Sequence, residues 1–293
     1  MDLLASFKQA FKNGNAVLRL IFINAIVFVL FITVKIVFTL FNVNATGFAE
    51  YLAVPASMQM LLYKPWTLIT YMFYHEGFFH VFFNMFTLFW FGKIFLMYFS
   101  EKQLNALYFI GGFSGAFVFI FSYNIFPYFA PVVPTSILLG ASGSIMAIIT
   151  AVAFRAPNME MQMLFIGRVK LKWIAVFFIL TSFFGITSNN AGGELAHLGG
   201  ALAGYLFVVS LQRGKDFTKG INRIFDVIHN LFAGKKLKVV HRKSGNRKMS
   251  DAEFNVSKAR NMQEIDRILD KIKTSGYESL SADEKRKLFE QKK

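Results

Sequence analysis

Gly140-Ala141-Ser142-Gly143-Ser144 lies inside an otherwise apolar run that extends from about 137 to 155. Two hydroxyls and two glycines are out of place there, because polar groups carried into hydrocarbon are costly and usually face a partner or a cavity. A second polar island, Ala196-His197-Leu198-Gly199-Gly200, interrupts the last apolar run. Whether the two islands form one site decides how the rest of the chain is read.

The surrounding scaffold belongs in a membrane. Hydrophobic residues fill 55% of the 293 positions and mean hydropathy is +0.45, whereas a soluble domain is about 45–50% apolar. Runs of about 18 apolar residues cross a bilayer as helices, since no water is present there to bond the backbone. Six such runs lie near 17–41, 77–98, 104–126, 137–155, 171–189 and 194–212. The first continues too long for a signal peptide and lacks a small-residue cleavage site after it, so it is expected to be a retained span. The expected fold class is all-α and polytopic, with a small helical tail. The expected division is 1–16 as an N-terminal segment, 17–212 as the membrane domain, 213–250 as a basic linker and 251–293 as a helical tail.

Charge supplies the orientation. Lys8, Lys12 and Arg19, then Lys93 and Lys102, then Arg155, Arg168, Lys170 and Lys172 fall on one side together with the tail, while Lys64 falls on the other. By the positive-inside rule both termini are cytoplasmic. The stretch from Arg213 onward holds 21 of the 32 Lys and Arg and 11 of the 17 Asp and Glu, about +10 of the net +15. Such a tail faces the anionic inner leaflet, so lipid rather than nucleic acid is its expected partner. With no cysteine, disulfides and thiolate chemistry are excluded.

The connections carry their own signals. Residues 42–77, with Tyr51, Tyr63, Trp66, Tyr71 and Tyr74, read as a partly helical segment at the outer leaflet, where such aromatics concentrate. Three of the six prolines, Pro127, Pro131 and Pro134, rule out a straight helix in the next outer connection. Ser188 to Gly193 reads as a mobile flap which, with the fifth span and its Gly185, would form a gate. In the tail, Asn222 to Phe232 reads as an amphipathic helix. Met262 to Lys273 has helical spacing, and Ser281-Ala282-Asp283-Glu284 reads as the cap of a further helix.

The chemistry follows from depth. Ser142 precedes Arg155 by 13 residues, which puts it roughly 20 Å up a hydrocarbon core of about 30 Å. His80 stands the same distance before Lys93, and His197 comes to about 24 Å before Arg213. A serine hydroxyl becomes nucleophilic when a positioned histidine takes its proton, and Ser142 with His197 supply that pair. His197, Gly200, Ala201 and Gly204 share a helix face, matched by Gly143, Ala147, Thr150 and Ala151, so small residues allow close approach. Gly140 permits a tight turn before Ser142. His80 and Asn84, four apart, share a face of the second span and can both donate hydrogen bonds to a developing oxyanion. Glu194 is read as lying nearly a turn outward of His197, so the base is expected to act in a dyad.

These residues resemble the rhomboid family of intramembrane serine proteases. The family's serine motif matches Gly140-Ala141-Ser142-Gly143, its second-span His-x-x-x-Asn matches His80 to Asn84, and its sixth-span motif matches Ala196-His197 with Gly200 and Gly204. The resemblance implies the six-helix rhomboid fold and a serine endopeptidase of a bacterial inner membrane that cleaves transmembrane substrates near the outer leaflet. In it Ser142 is nucleophile, His197 general base, and His80, Asn84 and the Ser142 backbone N–H the oxyanion hole, with no cofactor. Many relatives have Trp-Arg where this chain has Trp66-Thr67. The stretch 268–281 is similar to a tail on bacterial relatives.

Competing readings are weaker on chemistry. His75-Glu76 through His80 has one residue too many for a zinc His-Glu-x-x-His, and residues five apart sit about 140° apart on a helix, so no metal is expected. His75 reads as an interfacial histidine, and His229 and His241 as surface residues. Ser144 is one step deeper and outside the motif. The alternative function is a non-catalytic rhomboid-like protein that uses the same polar cavity to bind or move membrane helices; the retained Ser142 and His197 argue against it.

Overall fold

The computed structural model describes residue 11 and residues 13–43, 46–163, 166–232 and 251–290. Lys8, Lys12, His241 and the basic stretch 233–250 lie outside them, and so does the side chain of His229. Contacts divide the chain into two compact units, Met1–Gly234 and Lys235–Lys293.

The first unit is mostly helical, with four short strands among the described residues. Its principal helices are α1 (Ala16–Leu40), α2 (Phe78–Tyr98), α3 (Glu101–Ile125), α4 (Ser142–Arg155), α5 (Leu171–Phe184) and α6 (Ala191–Gln212). By length and composition α1, α2, α3 and α6 can cross a membrane, while α4 and α5 are apolar but shorter. Local chemistry sets the starts. The Asn15 side chain accepts from the Leu18 N–H to cap α1. Ser100 and Gln103 form a reciprocal capping box at α3, which satisfies two otherwise orphaned donors.

Helix α4 is the centre of the unit, with every residue from Gly143 to Ala153 buried. It meets α6 through backbone rather than side chains. A Cβ on Gly200 would fall 2.0 Å from the Gly143 carbonyl oxygen, and one on Gly204 would fall 2.2 Å from that of Ala147. Helix α3 closes on the same pair. Gly111 lies against Ala147 and Ser144, Gly115 against Ala196, and Gly199 against Ser114, whose hydroxyl donates to the Gly199 carbonyl at 2.7 Å. In lipid, where burying apolar groups gives little advantage, such close packing and interhelical hydrogen bonding hold helices together. Helix α1 is peripheral and rests Val17 on Gly92 of α2. Its buried Asn24 meets Tyr108, whose hydroxyl donates to the Met72 carbonyl. The outward faces carry exposed Phe79, Phe83, Phe86 and Trp90 on α2 and Phe177 and Phe184 on α5.

The connection before α2 is built of short helices at Thr46–Glu50, Met58–Tyr63 and Thr67–Thr70 and a 3-10 turn at Tyr71–Phe73. A two-residue strand, β1 (Val54–Pro55), pairs antiparallel with β2 (Ile137–Leu138), just ahead of Gly140. Trp66 donates its indole N–H to the Tyr51 carbonyl, and the buried Thr67 donates to the Lys64 carbonyl. That is the local packing at the Trp-Thr pair. The proline-rich connection forms a 3-10 helix at Pro127–Val132.

Several expectations need correction. The apolar run from 137 does not become helix until Ser142, because β2 and the turn at Gly140, with φ +108°, occupy its first residues. Ser188 to Gly193 is not all loop. Ala191, Gly192 and Gly193 form the first turn of α6, with Ala191 and Gly192 buried and Gly192 against Phe119. Between α4 and α5 lies a hairpin that was not expected, β3 (Glu160–Met163) with β4 (Gly167–Lys170), pairing Glu160 with Lys170. Its alternation sends Met161, Met163 and Val169 onto the core.

The helix expected at Asn222 to Phe232 is present as α7 (Thr218–Phe232). It starts a turn before Asn222 because the Asp216 carboxylate accepts from the Thr218 N–H. Phe225 packs on Phe109, and Asp226 pairs with Lys102.

The second unit is a helical hairpin of α8 (Asp251–Ser275) and α9 (Ala282–Glu290). Gly276 ends α8 at φ +79°. Ser281 and Glu284 exchange capping-box bonds at the start of α9. Lys271–Glu284 and Lys287–Glu264 pairs join the two helices over buried Ile268 and Leu280.

The backbone contact of α4 with α6 makes a direct expectation. Gly200→Val must separate the helices, at a cost of about 3 kcal/mol by the upper range for overpacking. Thermal unfolding in detergent micelles should therefore fall by several degrees. A Leu202→Val control, at an exposed position on the same helix, should leave it nearly unchanged.

Candidate active site

Helix α4 begins at Ser142, one residue past an Ala141 that gives no side-chain cap. The N–H groups of its first turn therefore have no intrahelical partner and carry the positive end of the helix dipole. The turn that presents them is braced from beneath. The Gly140 N–H donates to the Tyr71 carbonyl at 2.9 Å, and the Ala141 N–H to His75 Nε2 at 3.4 Å. Only glycine suits position 140 on two counts: its φ is left-handed, and an added Cβ would fall 2.8 Å from His80 Nε2 and 4.0 Å from Ser142 Oγ. The His80 imidazole is thereby held beside the serine.

Ser142, His197, His80 and Asn84 line one cavity of about 820 Å³. Glu76, Asn190 and Gly193, at the N-terminal ends of α2 and α6, line it too, as do Met146, Ile149 and Phe178 at its apolar side. Asn84 is buried and donates one amide hydrogen to the His80 carbonyl at 2.9 Å, which leaves its second amide hydrogen. Ser144, by contrast, is buried against α3 and does not line the cavity. Gly143, Gly200 and Gly204 lie in the contact between α4 and α6, with Gly200 three residues along from His197. Among the described residues no group of His, Cys, Asp and Glu is arranged to hold a metal ion.

Two further side chains meet His197, and the sequence reading missed both. Its Nδ1 lies 3.2 Å from Glu194 Oε2 and 3.0 Å from the hydroxyl of Ser182 on α5. The expectation that no acid is positioned at His197 is corrected. Residues three apart on a helix are surface neighbours, so the spacing itself was the signal. His75 was also misjudged. It is fully buried, not interfacial, with its ring edge-on to His80 at 5.0 Å and its Nδ1 at 3.3 Å from the Phe73 carbonyl.

A model of the Rhomboid domain matches residues 63–213, which takes in α2 through α6. The chain belongs to the rhomboid family. It is thus an integral membrane protein of a family of intramembrane proteases. A second model, a family of unknown function (DUF6576), matches residues 249–291 and so covers the hairpin of α8 and α9. No curated protein matches the chain.

His75 gives this rhomboid a measurable acid sensitivity. Burial, and then the neighbouring His80, push its imidazole down to about 4, against the opposing pull of the Phe73 carbonyl. The unfolded value is about 6.5, so between the two values the unfolded chain binds more protons and stability falls as pH falls. The full effect is of order 3 kcal/mol. Melting temperature in micelles should drop from pH 6.5 to pH 4. His75→Gln should flatten that slope, and a wild-type melting temperature level across the window would rule the account out.

Proposed function

We propose that this rhomboid is a serine endopeptidase that hydrolyses a peptide bond of a transmembrane substrate near the outer leaflet. The observation that carries the reading is that Ser142 opens a helix and shares one cavity with His197, His80 and Asn84. Ser142 Oγ attacks the scissile carbonyl carbon while His197 accepts the hydroxyl proton. The oxyanion takes hydrogen bonds from the Ser142 N–H, from His80 and from the free amide hydrogen of Asn84, groups already in place before charge develops. Collapse of the tetrahedral intermediate breaks the C–N bond, and His197 returns the proton to the leaving amine. Water then attacks the acyl-enzyme with His197 again as base. Ser142 and His197 make no direct hydrogen bond among the described residues, and unliganded nucleophile–base pairs are often loose until substrate arrives.

The setting favours hydrolysis inside a bilayer. The cavity reaches Glu76 and Asn190 at helix ends, which gives water a polar route to the acyl-enzyme. Six crossings, with α4 and α5 as the short ones, put both termini on the side of the Lys and Arg excess. That side is the cytoplasm of a bacterial inner membrane, where the basic tail meets anionic lipid. A substrate helix must unwind to bring its backbone to Ser142, so sequences with small and helix-weakening residues are preferred.

Ser142→Ala and His197→Ala should each reduce cleavage of a reporter transmembrane segment by about 10³-fold or more, with membrane insertion unchanged. A fluorophosphonate should label wild-type protein and fail to label Ser142→Ala. Folded wild-type protein that takes no label at Ser142 would instead point to a binding protein.

A further inference from the structure

The Glu194 carboxylate is hard to account for as surface charge. It sits on a helix that crosses hydrocarbon, its side chain is only 20% exposed, and it is enclosed by specific partners. His197 Nδ1 lies at 3.2 Å, Asn190 Nδ2 at 3.5 Å, and Ser182 is a further hydrogen-bonding partner. Gly185, which ends α5, makes room for it, because a Cβ there would fall 2.8 Å from Glu194 Cγ. An acid in the first turn of a helix is favoured by the dipole, but that preference explains neither the contact with Nδ1 nor the space reserved on α5.

We infer that Glu194 is a positioning residue that holds His197 as the tautomer protonated on Nδ1. The inference rests on His197 being the general base proposed above. A carboxylate has no proton to give and can only accept. The hydrogen between Glu194 and His197 therefore resides on Nδ1, and Nε2 keeps its lone pair as the basic nitrogen. Ser182 supports the arrangement from α5, since a hydroxyl can accept from Nδ1–H and donate to the carboxylate. When the Ser142 proton arrives at Nε2, the adjacent carboxylate stabilises the imidazolium. The proton leaves again from Nε2, and Glu194 stays ionised throughout. The functional unit is then Ser142, His197 and Glu194, with the acid on the same helix as the base.

Two measurements test this. Histidine 15N spectra of wild-type protein in micelles, with the His197 signal assigned by its loss in His197→Gln, should show Nδ1 protonated and Nε2 bare at neutral pH. The opposite tautomer overturns the inference without any Glu194 variant having to fold. Fluorophosphonate inactivation should also slow in Glu194→Gln, whose amide can donate to Nδ1 and favour the wrong tautomer. The expected drop in maximal inactivation rate is about 10- to 100-fold, up to the lower limit of what acid–base catalysis contributes because His197 itself is kept, with the half-saturating concentration unchanged. Gly185→Ala, which displaces the carboxylate while keeping it, should slow inactivation in the same sense. Wild-type rates in both variants, with Ser142→Ala unlabelled, overturn the Glu194 role alone. Labelling that persists in Ser142→Ala removes the nucleophile assignment and this inference with it.

Discussion

The approach of α6 to α4 at Gly200 and Gly143 is the constraint on which the rest depends. The two backbones touch there, with no side chain between them. Ser142 precedes one contact residue by a single position, and His197 precedes the other by three. The distance between the two islands is therefore fixed by hard-sphere contact of main chains. That contact is stiffer than anything long side chains could provide, because a packed interior does not deform continuously. Helix α3 reinforces it from the other side through Gly111, Gly115 and the Ser114 bond to Gly199.

Several polar groups around this core are paired in apolar surroundings, whereas the Ser144 and Thr150 hydroxyls on α4 are buried with no hydrogen-bond partner among the described residues. The backbone ahead of Ser142 is irregular and would be expensive to bury unsatisfied. It is bonded by the Tyr71 carbonyl, by His75 and by the pairing of β1 with β2. The connection between α1 and α2 thus acts as a support for the turn and not only as a tether between spans. On the opposite wall, Glu194 and Ser182 give His197 a fixed environment. A site placed on rigid elements and braced by a surrounding set of bonds needs little rearrangement as charge develops.

Much of the architecture was legible in the sequence because hydrocarbon imposes a simple rule. The long apolar runs had to become helices, and α1, α2, α3 and α6 match four of them to within a few residues. The small-residue stripes were legible for the same reason, since close packing has few other signatures. The hairpin of β3 and β4 was not, because two four-residue strands alternate too briefly to stand out beside basic residues. The role of His75 was not legible either. Nothing in a histidine near the start of a span says whether it meets water or the underside of a turn 66 residues away. Glu194 was misread through a judgement of angle, and the i,i+3 relation was available all along.

The start of α4 has a consequence for how such sites are found. The apolar run around Ser142 is long enough to be taken as a full span, yet the helix holds 14 residues, about 21 Å. The difference is spent on strand and turn. Selection for a better membrane helix at 137–141 would lengthen α4 and bury its free N–H groups in intrahelical bonds. In α4 the missing turn is thus where backbone donors are left without intrahelical partners.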